Sequence, residues 1–117
     1  MDKHEKIDYV EFPATDMDAT KAFFGKVFGW SFTDYGPEYM DCPDGGIMTG
    51  FFKADMKSST ENGSALVTFY SSDLEETFAK IEPAGGTVLK PIFSFPGGRR
   101  FQFTEPSGNE FAVWSDK

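Results

Sequence analysis

The chain has one cysteine, one histidine and only 11 lysines and arginines against 19 aspartates and glutamates. With Cys42 alone no intrachain disulfide forms, and one Cys plus one His make no zinc motif. No histidine stands near Cys42 in sequence to activate it, so it reads as a small residue beside a turn rather than a nucleophile. His4 lies in a polar stretch, residues 1–5, that is expected to fray, and it reads as a solvated tail residue. The net charge of −8 disfavours nucleic acid and anionic membranes, which reward clustered Lys and Arg, and the only adjacent basic pair is Arg99-Arg100. No run approaches the ~20 apolar residues of a membrane span. The opening MDKHEK is followed by no hydrophobic stretch of the kind a signal peptide needs, so a cytoplasmic protein is expected.

What the chain does have is aromatic surface, with 14 Phe, 4 Tyr and 2 Trp in 117 residues, enough to build a core for one domain. It also has an internal repeat. Shifting Ile7–Trp30 by 57 positions lays Val10 on Val67, Phe12 on Phe69, Asp16 on Asp73, Thr20 on Thr77, Ala22 on Ala79 and Gly29 on Gly86. A repeat of this length means two copies of one supersecondary unit.

Each copy reads as a strand entering a helix. Ile7–Phe12 alternates at period 2, Asp16 is placed to cap the first turn, Ala19, Ala22, Phe23 and Val27 form a helical stripe, and Gly29 ends it. The second copy follows with Leu66–Tyr70, Asp73, the stripe Leu74, Phe78, Ile81, and Gly85-Gly86. Turn-rich tails then close on strands, Cys42-Pro43-Asp44-Gly45 before Ile47–Phe52 and Glu105-Pro106-Ser107-Gly108 before Glu110–Trp114. The tail offset is 63 rather than 57, which assigns about six extra residues to a loop over Pro91–Gly98. Further strands are predicted at Trp30–Asp34, Tyr39–Cys42, Thr87–Pro91 and Arg99–Thr104. The result is a single α+β domain of two tandem βαβββ modules, about 6–52 and 64–115, joined by the polar linker 53–63, with mostly antiparallel sheets curled around a cavity.

The paired plan, Val10-Glu11-Phe12-Pro13 followed by Asp16, the block Phe23-Phe24 to Val27-Phe28-Gly29-Trp30, and the closing Glu105-Pro106-Ser107-Gly108-Asn109 resemble the vicinal oxygen chelate superfamily over roughly Ile7–Trp114. Its members include glyoxalase I, bleomycin and fosfomycin resistance proteins, extradiol dioxygenases and methylmalonyl-CoA epimerase. The resemblance implies a divalent metal held by His, Gln or Glu from the first and last strands of each module. Carried over one at a time, those positions fall on Tyr9, Leu66, Ala112 and, by the tail offset, Thr49. None is a good ligand for such a metal, and Leu66 and Ala112 have no side-chain lone pair. The resemblance also implies a homodimer.

Alternation groups Tyr9, Glu11, Thr49, Leu66, Thr68, Tyr70, Glu110, Ala112 and Trp114 on the cavity face, an aromatic surface with a few polar handles. The plain alternative is a half-buried sheet face. Glu11 and Glu110 would suit a cationic ligand, with the rings adding cation–π contacts, or would simply be solvated. Arg100, or Arg99, would clamp a carboxylate or phosphate at the cavity mouth, or be solvated too. The leading expectation is therefore a metal-independent protein, with no cofactor, that binds a small aromatic or cationic molecule. The second is a metal-dependent lyase, epimerase or dioxygenase with a displaced site around Glu11 and Glu110. The third is an interaction module whose cavity is filled.

Overall fold

The computed structural model describes residues 3–117; of the expected frayed tail, residues 1 and 2 lie outside the described residues, and Lys6 N–H donates to Lys3 O at 3.0 Å in a turn. The elements are β1 (Tyr9–Ala14), α1 (Met17–Phe28), β2 (Thr33–Asp34), β3 (Tyr39–Cys42), β4 (Met48–Lys53), β5 (Val67–Tyr70), α2 (Leu74–Ile81), β6 (Thr87–Phe95), β7 (Gly98–Thr104) and β8 (Glu110–Ser115), with a 3-10 turn at Thr60–Asn62. They form two four-stranded mixed sheets, ordered β1-β4-β3-β2 and β5-β8-β7-β6, in an α+β fold. The first strand of each sheet runs parallel to the last, and the other pairs are antiparallel.

The repeat holds at the level of capping chemistry. Asp16 accepts from Ala19 N–H and Asp73 from Glu76 N–H, each satisfying an amide of the first helical turn. Gly29 ends α1 in the left-handed conformation, φ 71°, which costs a glycine least. The buried stripe of α1 is Thr20, Phe23, Phe24 and Val27, while Ala22 of the predicted stripe is exposed. Phe24 meets Trp30, Phe51 and Phe111 at ring separations of 4.8, 5.4 and 5.5 Å, so one helix binds both sheets into one core.

Two predicted segments differ. Trp30–Asp34 yields only a two-residue strand, because Trp30 turns inward and stacks on Phe24. The segment 91–98 is mostly strand: β6 continues to Phe95, and its pairing with β7 absorbs extra residues in register shifts between Val88 and Lys90 and between Lys90 and Phe93.

The modules are also tied by a buried polar latch. Glu105 is 2% exposed, and its carboxylate accepts from Thr20 Oγ1 at 2.7 Å, Ser107 N–H at 2.8 Å and Asn109 Nδ2 at 2.6 Å. Asn109 Nδ2 also donates to Pro13 O at 2.7 Å, reaching back to β1. Among the described residues no helix is long and apolar enough to cross a membrane.

Candidate functional site

Strand registry sorts the candidate residues onto faces, since side chains of paired residues share a side of the sheet. In the first sheet Tyr9 pairs with Met48, Glu11 with Gly50, and Gly50 with Asp41, so these stand on the face away from the core. Thr49 pairs with Val10 and therefore lies on the opposite, core side. This corrects its grouping with Tyr9 and Glu11: an offset taken across the second module's extra residues shifted the position by one, and a shift of one reverses the face.

Tyr9 and Glu11 do meet. The Tyr9 and Tyr39 hydroxyls share a short hydrogen bond, Tyr39 OH donates to Glu11 Oε2 at 2.9 Å, and Tyr9 OH donates to Asp41 Oδ2 at 3.2 Å. Gly50 makes room for them, since a Cβ there would stand 2.2 Å from the Tyr39 hydroxyl and 3.0 Å from that of Tyr9. Loss of solvent contact, and then the hydrogen bond from its neighbour, raise the Tyr39 phenol's pKa; desolvation raises that of Tyr9, offset in part by Tyr39. Both phenols stay protonated, and their two protons are shared among three contacts, the one between the phenols and those to Glu11 and Asp41.

In the second sheet the registry lines up Tyr70, Trp114, Arg100 and Phe93 in one row, and Thr68, Ala112, Gln102 and Lys90 in the next. Leu66, just before β5, shares the parity of Thr68. Arg100, rather than Arg99, is on this face. Arg99 points to the helix side, where Glu75 takes it in a two-point ion pair and Lys117 O accepts from its Nε at 3.2 Å. Arg100 is in none of the ion pairs among the described residues.

A hydrogen-bonded chain fixes the Arg100 guanidinium. The Thr60 amide and hydroxyl donate to Glu110 Oε1 at 2.8 and 2.9 Å, Gln102 Nε2 donates to Glu110 Oε2 at 3.0 Å, and the Gln102 carbonyl so oriented accepts from Arg100 Nη2 at 3.2 Å. Burial works against ionisation of Glu110, but these donors and the charge of Lys90 outweigh it and hold the carboxyl below its usual range. Glu110 is thus spent inside the fold rather than held out to a cation. One donor of Arg100 is both buried and unused: its Nε has no hydrogen-bond partner among the described residues. Trp114 packs edge-on to Tyr70 at 5.2 Å, and the Arg100 guanidinium carbon lies 5.9 Å from the Phe93 ring centre.

The positions that would hold a divalent metal do not assemble a donor set. Tyr9 offers a protonated phenol on the first sheet, Leu66 and Ala112 offer hydrocarbon on the second, and Thr49 faces the core. Glu11 and Glu110 stand on different sheets, Glu11 with Oε2 engaged by Tyr39 and Glu110 with both oxygens engaged by Thr60 and Gln102. No group of three or more His, Cys, Asp and Glu side chains that could hold a metal ion occurs among the described residues.

Arg100 and Trp114 were visible in the sequence as candidates. Gln102, which orients the guanidinium, and Thr60, which anchors Glu110 across 50 residues, were not. Their only sequence signal was the alternation that puts Arg100 and Gln102 on one face.

Comparison with known proteins agrees with this architecture. The chain is 25% identical over 115 residues to the glyoxylase-like protein CFP32 of Mycobacterium bovis, covering 92% of this chain and 44% of that protein, so it spans less than half the length of the curated relatives it matches. The fold matches a glyoxalase-related enzyme from Fulvimarina pelagi at TM-score 0.80 and 16% identity, covering 95% of this chain and 88% of that one. It also matches the E126Q mutant of the fosfomycin resistance protein FosX from Listeria monocytogenes, in complex with Mn(II) and 1S,2S-dihydroxypropylphosphonic acid, at TM-score 0.78 and 15% identity, covering 94% and 89% of the two chains. The family model of the Glyoxalase/Bleomycin resistance protein/Dioxygenase superfamily matches residues 6–113, nearly the whole chain, and the protein belongs to that superfamily.

Proposed function

We propose that this protein binds a small organic anion with an aromatic body, without a metal, on the face of the second sheet that carries Arg100. One observation carries the reading: a guanidinium held in place by Gln102, Glu110 and Thr60 keeps a buried Nε–H with no acceptor. A buried donor without a partner costs about 1–3 kcal/mol, which a carboxylate oxygen would recover once the guanidinium turns to present the Nε–H, while adding charge. The row Tyr70–Trp114–Arg100–Phe93 supplies ring surface on both sides of that charge. Of the expected aromatic or cationic ligand this keeps the aromatic body and replaces the positive charge by a negative one, because Glu110 is already committed to Thr60 and Gln102.

Membership of the superfamily adds weight, since the FosX variant was solved with a phosphonic acid, also a small anion. The Mn(II) of that complex has no counterpart in the donor set here. A second copy, presenting its Tyr9–Tyr39 face, would complete the site in a homodimer, and a cytoplasmic location fits the composition.

Aromatic carboxylates such as benzoate and 4-hydroxyphenylacetate are expected to raise the melting temperature and to bind one per chain in calorimetry. Arg100→Gln is expected to weaken that binding by roughly tenfold to a hundredfold, the worth of a charged hydrogen bond. Binding unchanged in Arg100→Gln, or stabilisation by Mn, Ni or Zn in place of the carboxylate, would overturn the reading.

A further inference from the structure

A cavity of about 530 Å³ lies between the modules, mainly on the core side of both sheets, and reaches Thr68 and Tyr70 at the β5 edge of the Arg100 face without including Arg100. Its walls are apolar and mostly ring surface, contributed by Val10 and Phe12 of β1, Phe28 and Trp30 at the end of α1, Phe69 of β5 and Phe111 of β8. These residues do not collapse into the space because their rings already hold one another. Phe28 stacks on Phe69 at 4.2 Å, Trp30 lies 5.8 Å from Phe69, and Phe12 packs on Phe111 at 4.9 Å. The volume falls in the range of small-molecule sites, roughly 300–1,000 Å³.

The polar groups of the lining decide what it would accept. The Thr49 hydroxyl donates to Ile47 O at 3.1 Å, that of Thr68 to Leu66 O at 3.3 Å, and that of Tyr70 to Asp116 Oδ1 at 2.6 Å. Asp44, the one charged lining residue, accepts from Ser31 N–H at 2.9 Å and from the Cys42 thiol at 3.4 Å. Each of these hydroxyl protons is spent within the fold, and the only charge among the described lining residues is negative. A ligand carrying a carboxylate would meet no counter-charge here, and Asp44 would repel it. A polar ligand would lose its own hydrogen bonds to water without replacement.

We infer that the inter-module cavity is a second binding site, distinct from the Arg100 guanidinium, for a neutral, largely apolar molecule of small aromatic or terpenoid size. It does not depend on the anion-binding reading. It also departs from an interaction module with a filled interior, since no described side chain occupies the space.

The neutral dye N-phenyl-1-naphthylamine tests the inference in protein carrying Trp114→Phe, which leaves Trp30 in the cavity wall as the only tryptophan. The expected result is one dye per chain with quenching of Trp30 emission and sensitised dye emission. Ala65→Trp is exposed at the rim and leaves the core intact, while Val67→Trp fills the space from the wall. Either is expected to weaken dye binding at least tenfold. Arg100→Gln and excess benzoate are expected to leave it unchanged, so a failure of the anion site and a failure of the cavity give different patterns. Three results would overturn the inference. One is no Trp30 quenching at saturating dye with folded protein. Another is dye binding retained in both tryptophan-filled variants. The last is sedimentation showing a dimer that Ala65→Trp dissociates, which would give the cavity mouth to a second copy.

Discussion

Glu105→Ala is expected to destabilise the fold by roughly 3–5 kcal/mol, the cost of leaving several buried donors without their acceptor, and to lower the melting temperature on the order of 10–20 °C. The residue is small in area but central in connection. Its two oxygens take hydrogen bonds from Thr20 on α1, from the Ser107 amide in the turn before β8 and from Asn109, whose amide also holds Pro13 O on β1. Alanine leaves three buried donors without their acceptor and disconnects the two modules at their polar contact. Urea denaturation read by the near-ultraviolet signal of the aromatic core measures the loss.

The same residue gives a pH dependence of known sign. Burial pushes the Glu105 carboxyl above its ordinary value, with the hydrogen bonds from Ser107, Thr20 and Asn109 partly opposing the rise. A group whose folded pKa is raised binds more protons folded than unfolded, so its contribution is fully present below the unfolded value, about 4.3, and falls as pH rises through the folded one. The penalty of Glu105→Ala is therefore expected to be larger near pH 4 than near pH 7. Comparing the two proteins at each pH cancels every other titrating group, including Glu110, whose shift runs the opposite way. A penalty that grows with pH would show that the hydrogen bonds, not burial, dominate at Glu105.

Phe24→Ala is the second large effect, roughly 3–5 kcal/mol, as expected for a fully buried Phe whose neighbours cannot close the space. Phe24 is 0% exposed and touches rings from both sheets and its own helix: Phe51 in the first, Phe69 and Phe111 in the second, and Phe23, Phe28 and Trp30 beside it. None of these partners is free to move in, because each packs against a further ring. Phe93, 38% exposed on β6, provides the contrast, and its replacement by alanine is expected to cost only about 0.5 kcal/mol. A urea midpoint falling equally in the two variants would mean that the helix–sheet core is not the main source of stability.

The parts of this fold that were legible in the sequence are those governed by near neighbours. Asp16 and Asp73 cap helices because a carboxylate three residues before an amide can reach it, and that relation is local. The order of elements along each module followed from the repeat for the same reason. Thr49 was misplaced because its face depends on which residue of β1 it pairs with, and that pairing is fixed by the Cys42–Ile47 turn rather than by the tail of the other module. The extra residues of the second module looked like a loop because Pro91, Pro96 and two glycines punctuate them; bulges between β6 and β7 instead carry them within a ribbon. At the candidate site, alternation separated Arg99 from Arg100 but did not say which shares a face with Trp114 and Tyr70. The contact that decides it, Arg99 with Glu75, spans 24 residues and two elements. Glu110 read as an open handle for the same reason, since Thr60 belongs to the linker.

Gly50 shows how close this surface stands to a different one. A single methyl at that position, as in Gly50→Ala, would occupy the place of the Tyr39 hydroxyl, 2.2 Å from the new carbon, and press on that of Tyr9 at 3.0 Å. The rings are side-chain ends on an open face and would swing outward, taking their protons away from Glu11 and Asp41. Two capped acids would become two bare ones on a sheet whose neighbour strands stay in place. One added methyl thus separates a face whose carboxylates are spent on phenol protons from one whose carboxylates stand open to other donors, with the net charge unchanged.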